Sequence, residues 1–561
     1  MSLHWIPLVP ALGGLLISLC PADREVWMHR LASYSSAALS LLVMATFVQA
    51  WQHPIADFKA PLFDWEGHHF GLSLHLDLAG GIFLFMTALL GGLVVRFSRF
   101  YMHREPGQRR FFSTLLFFLA GMSGVVLAHD LDTLFLAWEV VGISSFLLIG
   151  FYRQREGPVR NALKVYCIYR LCDVGLLVGA YLQHHDLGTA EFDTMAAHNL
   201  PGHHLLILSL LLLLSAAGKS AQFPFSFWVA RAMEGPTPSS AIFYGALSIH
   251  AGVFLLLRTA PIWQASLTAR VAVACVGLFT AFLATGISHV QSNIKGQIAY
   301  SSVAQVGLMF AELALGWNHW VLVHFVGNAS LRCYQLLISP SLVAYLLRQQ
   351  STAGSHSLAS DFSLERVLPH RLRSTLFVLV SQEAYMENLV NALFFRLTQW
   401  VARHLMAENR NITVVWTRSL ALSLTAALSI GFCVHGLHTL EPYLVGIVVS
   451  YLLGLAGIGL LPRELRGLPL DRFRGVTVEH PWSARLLFLS FLGMSGFPIS
   501  PAFFGVDLLL SSAVHLHLLA ALGFTFLFIL NGIVLARCFS RLCLGSDQSW
   551  TNTATVRLST R

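Results

Sequence analysis

GKSAQFPFSFWVARAMEGPTP, residues 218–238, follows an apolar run that would otherwise read as an unbroken lipid-crossing helix. A lysine stands at its threshold, Pro224 follows, and Pro236 and Pro238 precede the next apolar run. Pro224 removes a helix hydrogen bond and frees carbonyls at a depth where lipid offers no donor. GMSGFPISPAFFGVDLLL, residues 493–510, repeats the design with Pro498 and Pro501, and Asp507 lies just beyond. Unwound backbone once in each half is the pattern of ion sites built on inverted repeats. Two proline kinks that merely shape a bundle are the plain alternative. Lys219 and Asp507, one beside each break, weigh against it.

The rest of the chain agrees with a membrane setting. Its 561 residues are 55% hydrophobic and 11% charged, with mean hydropathy +0.64; soluble domains carry about 25% charged residues. This predicts an all-α polytopic membrane protein whose first partner is the lipid bilayer. About 20 apolar residues cross a bilayer core. Stretches near 3–20, 31–50, 78–97, 111–128, 131–152, 161–182, 204–222, 238–257, 268–289, 297–315, 319–347, 413–435, 440–461, 484–512 and 517–540 qualify, giving about 14–15 transmembrane helices with two of them broken. Loops 21–30, 96–110 and 153–160 hold ten Lys and Arg, whereas loops 51–77, 129–132 and 183–203 hold only Lys59. By the positive-inside rule the N-terminus is periplasmic and the C-terminus cytoplasmic, in a bacterial inner membrane. Arg463, Arg466, Arg472 and Arg474 fall inside on the same count. The formal charge of +8 resides in such short loops, which excludes a nucleic-acid partner.

Five regions follow: N-terminal helices 1–110, a core 111–347 with the first break, a linker and amphipathic helix 348–412, C-terminal helices 413–545 with the second break, and a polar tail 546–561. Residues 351–361 are polar linker. Residues 381–405 set apolar positions at helical spacing, which fits a helix on the inner surface or one lying against the bundle. Residues 3–20 lack a basic start and a cleavage site, so they are a first span and not a leader. Leu19 before Cys20 argues against a lipidation box. Cys167, Cys172, Cys275, Cys333, Cys433 and Cys538 lie in apolar runs without zinc spacing and read as small buried hydrophobes.

Glu139, Asp173, Lys219, Arg332 and Asp507 lie inside these spans. Each charge at bilayer depth costs roughly 2.5–3.5 kcal/mol on insertion scales, so five on separate helices point to transport. Buried pairs that only hold helices together are the competing reading.

LAWEVVGISSFLLIGFYR (136–153), GKSAQFPFSFWVARAMEGPTPSSA (218–241) and NIKGQIAYSSVAQVGLMF (293–310) resemble the antiporter-like membrane subunits of respiratory NADH:quinone oxidoreductase (subunit L) and Mrp-type cation/proton antiporters. The resemblance runs from about residue 60 to 345 and resumes at about 470–540. It implies a polar path along the bilayer midplane carrying protons, with sodium as the alternative ion. Glu139 then matches the family's glutamate and Lys219 the lysine it modulates. Arg170 and Asp173, three apart on one helix, either pair locally or bias Glu139. Where the family places two histidines and a lysine, this chain has His324, Asn328 and Arg332, and arginine is effectively always protonated. His250 stands as the central titrating group because the usual histidine position reads Tyr244. Lys295 resembles a family position but lies near the inner surface, where a topology charge also fits. The family's Lys-Asp at the second break reads Val506-Asp507 here, leaving the carboxylate as exit group.

Three departures separate the chain from subunit L. That protein carries a lateral helix beyond its last span; a 60 Å brace needs about 40 residues at 1.5 Å each, and 21 follow residue 540 here. A block at about 348–462 separates regions adjacent in subunit L, and two lysines of the path are replaced. These departures resemble the membrane subunit of the DAB-type inorganic-carbon pump. That resemblance implies a cation-conducting subunit that catalyses nothing itself and holds no cofactor. It powers a large cytosolic, zinc-containing, carbonic-anhydrase-like partner. A proton-translocating subunit of a respiratory or Mrp complex is the alternative.

Overall fold

A computed structural model describes residues 2–21, 23–65, 68–187, 191–192, 202–353, 369–405, 411–434, 440–498, 500–516 and 518–545. The chain runs through α1 (Trp5–Leu19), α2 (Glu25–Gln52), a hairpin of β1 (Phe58–Trp65) and β2 (His68–Leu74), α3 (Leu78–Tyr101), α4 (Gln108–Leu127), α5 (Leu131–Ile149) and α6 (Glu156–Leu187). After α7 (Gly202–Lys219) come α8 (Trp228–Ala232), α9 (Thr237–Ser240), a π-helical turn Ala241–Ala246, a 3-10 turn Ser248–His250, α10 (Ala251–Arg258) and α11 (Ala260–Trp263). Long helices resume with α12 (Leu267–Val290), α13 (Ile294–Ala314) and α14 (Asn318–Ala353). The shorter α15 (His370–Ser381), α16 (Met386–Val390) and α17 (Arg396–Leu405) follow. The chain then forms α18 (Ile412–Val434), α19 (Glu441–Gly459), α20 (Arg463–Gly467), α21 (Pro481–Met494), α22 (Pro501–Leu516) and α23 (Leu518–Cys543).

Each of the fifteen apolar stretches is mainly helical among the described residues. Among the described residues twelve helices are long and apolar enough to cross a bilayer, so the chain is a polytopic, mostly helical membrane protein. Three stretches fall short. The helix α1 has 15 residues, α13 carries Gln297, Gln305 and Glu312 along its length, and 484–512 is split between α21 and α22.

Helix starts follow the sequence chemistry: Asp77, Asp130, Ser266 and Asn293 accept backbone N–H groups of Gly80, Thr133, Ala269 and Lys295. Outer helices such as α2 turn Leu41, Met44 and Trp51 outward and bury Leu39 and Val43. Central helices α4, α5 and α6 are enclosed nearly all round. Where α12 meets α13, a methyl at Gly277 or Gly307 would fall 2.5 Å from the other's carbonyl, so only glycine lets these backbones touch. Of the six cysteines expected to be buried, Cys275 faces outward because it lies on the outer stripe of α12, and the side chain of Cys433 is outside the described residues.

Loops sort onto two faces. Arg109 reaches the carbonyl of Cys20, Arg110 that of Phe151, and Gly545 that of Arg153, which gathers the basic loops at one end. At the other end lies the hairpin, unforeseen in the sequence, bridged through Leu74 to Ala128. Arg258 pairs with Asp77 there at 2.9 Å.

Residues 381–405 do not form one continuous helix. Glu383, Ala384 and Tyr385 hold φ of 52°, 53° and 54°, left-handed values that L-residues adopt only when their surroundings enforce them. Here Arg231 grips Glu383 at 2.6 Å and Glu387 at 3.1 Å, Tyr300 donates to Glu383 at 2.8 Å, and Lys164 pairs with Glu387. The segment therefore docks against the basic end of the bundle. Burial opposes the charge on Glu387, but Lys164 and Arg231 outweigh it and hold this carboxyl below the usual carboxylate range. The expected linker falls mostly outside the described residues; its first three, 351–353, continue α14.

Candidate functional site

The breaks fall where the prolines put them. After α7 ends at Lys219, Ala221 takes φ 52°, and the peptide bond before Pro224 is cis. The freed polar groups find protein partners. Trp228 Nε1 donates to the Gly218 carbonyl at 3.0 Å, Gln222 Nε2 to the Ser220 carbonyl at 2.9 Å, and Phe223 N to Thr280 Oγ1 at 2.9 Å. At the second break Asn531 donates to the Met494 carbonyl at 3.3 Å and Arg170 Nη2 to the Ser495 carbonyl at 3.0 Å. Protein groups thus take up part of the polar backbone freed at both breaks.

Between them lies an ion-pair centre. Arg170 Nη1 donates to Glu139 Oε1 at 2.5 Å, with both side chains about 5% exposed or less. Asp173 accepts the Trp138 indole N–H at 2.6 Å. The local Arg170–Asp173 pair suggested by spacing does not form. Both residues point across to α5, where adjacent Trp138 and Glu139 offer each a partner. Lys219 Nζ lies 4.5 Å from the Tyr169 ring centroid and 4.9 Å from that of Trp138, and it donates to the Trp138 carbonyl at 3.1 Å. Among the described residues no carboxylate is within salt-bridge distance of Nζ, so aromatic faces and one carbonyl replace its water. A methyl at Gly142 would sit 3.2 Å from Nζ; glycine keeps that space open.

A second group forms where the helix 237–258 loosens into π and 3-10 turns, features common at functional sites. His250 Nδ1 meets the Ala246 carbonyl at 2.6 Å and must carry a proton there, while Nε2 receives Asn328 Nδ2 at 3.0 Å. Asn328 Oδ1 in turn accepts from Arg332 Nε at 3.3 Å, and Arg332 Nη1 reaches Gln335 at 2.8 Å. His324 does not join this row. It turns to α13, between Glu312 at 2.9 Å and Gln305 at 2.9 Å, and is half-buried. Lys295 sits at the basic end of α13, where Nζ reaches the Gly235 carbonyl at 3.5 Å, away from the central groups.

Asp507 is buried on α22 and accepts the Tyr181 hydroxyl. The single continuous row expected from the five charges is therefore resolved into three groups: around Glu139, around His250, and around Asp507. Among the described residues the Arg332 side chain bonds within α14, to Asn328 and Gln335.

Several contributors escaped the sequence reading: Trp138 and Tyr169 around Lys219, the Ser495 carbonyl, Glu312, Tyr181, and the His184–Asp132 pair at 2.6 Å. A signal was present for some of them. Arg170, Asp173, Tyr181 and His184 recur at helical spacing along one stripe of α6.

Residues 128–355 match the family described as NADH:quinone oxidoreductase/Mrp antiporter, transmembrane, and residues 63–112 match the N-terminus of NADH-ubiquinone oxidoreductase (complex I) chain 5. NADH-quinone oxidoreductase subunit L of Escherichia coli (strain K12) is 32% identical over 355 residues, 61% of this chain and 58% of that one. Subunit L of Mycobacterium tuberculosis (strain H37Rv) is 35% identical over 324 residues, 56% of this chain and 51% of that one. NAD(P)H-quinone oxidoreductase chain 5 of Synechocystis is 32% identical over 359 residues, 61% and 53%. The chain spans little more than half the length of these relatives. A chain in the structure of the Mrp complex from Dietzia sp. DQ12-45-1b shares the fold at TM-score 0.53 and 17% identity, covering 92% of this chain and 71% of that one. The chain is thus similar to antiporter-like membrane subunits, and Glu139, Arg170, Asp173, Lys219, His250, His324 and Arg332 all lie within the matched segment.

Proposed function

We propose that this chain is a proton-translocating, antiporter-like membrane subunit of a larger complex, of the kind its relatives name. The observation that supports it most is Arg170, which binds Glu139 with one arm and the carbonyl of the second broken helix with the other, beside Lys219 at the end of the first. When Arg170 lets go, the Glu139 carboxylate is free to favour the ammonium form of Lys219. When it returns, that favour is withdrawn, and burial of the lysine away from water promotes release against the hold of the rings and the one carbonyl. Glu139 thus controls loading, Lys219 carries, and Trp138 holds Asp173 in place beside them.

The always-charged Arg332 fits such a path as a latch. His250 accepts at Nε2 from the Asn328 amide; a second proton on the ring makes Nε2 a donor, and Asn328 must then turn its oxygen toward it. That turn takes from Arg332 the acceptor it holds, so the arginine reports proton occupancy without carrying a proton. The basic loops are assigned to the inside, with the N-terminus outside, in a bacterial inner membrane.

The test is proton uptake into vesicles containing the purified full chain with its bound partners. An imposed pH difference should drive uptake in the native protein and not in Lys219→Ala; equal uptake by the two would overturn the reading. The inorganic-carbon pump stands as a second, narrower reading, favoured by Asn328 and Arg332 in place of the family's histidine and lysine. It requires co-purification of a large zinc-containing cytosolic partner and joint rescue of a carbonic-anhydrase-deficient bacterium. Rescue by the partner alone would end it.

A further inference from the structure

Asp507 is only 2% exposed, yet a path through it needs a way to water. The end of α6 remote from the basic loops offers one. Tyr181 donates to Asp507, and one turn further along the same stripe His184 Nε2 meets Asp132 Oδ2 at 2.6 Å. Exposure rises along this line: Tyr181 is buried, while the Asp132 and His184 side chains are 17% and 27% exposed. Three elements converge, with α6 carrying Tyr181 and His184, α5 beginning at Asp132, and α22 presenting Asp507. Among the described residues, the titratable groups facing this point are Asp130 and Asp132 on the α5 side, His184 and Tyr181 on α6, and Asp507 on α22. Nearby Glu191 bridges its backbone to Asp130 and pairs with Lys59, while Asp186 is taken by His185 and His204 and so faces α7.

We propose that Asp507, Tyr181 and the His184–Asp132 pair form the outer proton port of this chain. The inference rests on the transport reading above and deepens it. A histidine hydrogen-bonded to a carboxylate can take a proton from bulk water and hold it as an ion pair. A water molecule between the rings hands that proton to the Tyr181 oxygen as the Tyr181 hydroxyl proton moves to Asp507. One proton advances at each transfer, the tyrosine stays neutral, and nothing is oxidised or reduced. Run backward, the same ladder releases a proton from Asp507. A purely structural role for the pair, stapling α5 to α6, predicts no dependence on outside pH.

The experiment uses the full chain with its bound partners in right-side-out and inverted vesicles, with a trapped pH dye and a stepped outside pH. In the native protein, flux should depend on the pH of the non-basic face. His184→Gln, Asp132→Asn and Tyr181→Phe should each cut flux about tenfold or more and flatten that dependence, and Asp132→Glu should restore both. His204→Gln, outside the ladder, serves as control. Thermal unfolding of every variant separates misfolding from loss of the port; if Asp132→Asn unfolds, Tyr181→Phe and Asp132→Glu decide. Native flux and pH profile in the folded variants, with Lys219→Ala still inactive, would overturn the port alone. Absence of flux in the native protein would overturn the transport reading instead.

Discussion

Replacing Arg170 by methionine tests the centre of the molecule. The guanidinium serves two buried acceptors, Glu139 at 2.5 Å and the Ser495 carbonyl at 3.0 Å. Removing one partner of a buried pair costs about 3–5 kcal/mol, because the other charge stays behind unpaired. The orphaned carbonyl adds about 1–3 kcal/mol. Arg170→Met is therefore expected to lose about 4–8 kcal/mol. Glu139→Gln added to it should recover most of that loss, leaving the carbonyl's share. Unfolding by denaturing detergent, followed by helical circular dichroism for the four members of the cycle, measures each quantity. Equal stability of the single and double variants would refute the account.

Three further outcomes are expected. Gly142→Ala, which places a methyl 3.2 Å from Lys219 Nζ, should lower proton flux several-fold in the vesicle assay while leaving every titrating group in place. Burial pushes Asp130, between α4 and α5, up to about 7, with the Asp132 charge adding to it. A carboxyl raised from its usual 3.8 supports the fold when protonated, so stability should fall as pH rises from about 4 through 7, and Asp130→Asn, which keeps an oxygen acceptor for the cap, should flatten that fall in thermal melts. Arg231→Ala removes the shared partner of Glu383 and Glu387, and should speed proteolytic cleavage within 381–405 by tenfold or more, with no change at the hairpin.

Apolar length made the helices legible, and proline with glycine marked the breaks, because those rules act along one chain. The hairpin was missed because a two-stranded ribbon inside a 27-residue loop leaves no mark on a hydropathy profile. The site was legible as a set of residues more than as a set of contacts. Glu139, Lys219 and Asp507 stood out because charge in lipid is costly wherever it occurs. Which partner each would choose depends on facing helices: Arg170 prefers a carboxylate across the interface to one on its own helix, and His324 on α14 follows α13 and leaves Asn328 behind. Aromatic shelter for Lys219 had no charge to announce it. The inner segment 381–405 misled because its apolar spacing continues through a left-handed turn that Arg231, Tyr300 and Lys164, far away in sequence, hold in place.

Backbone contact between Gly277 and Gly307 has a mechanical corollary. At this crossing no side chain separates the two backbones, so α12 and α13 are clamped there and have little room to slide past one another. Near one end of α12, Gly286 meets Val380 on α15, and on α13 Gly307 borders Gln222 of the first break. The clamped pair therefore ties the inner helix α15 to the first broken helix through a chain of direct contacts.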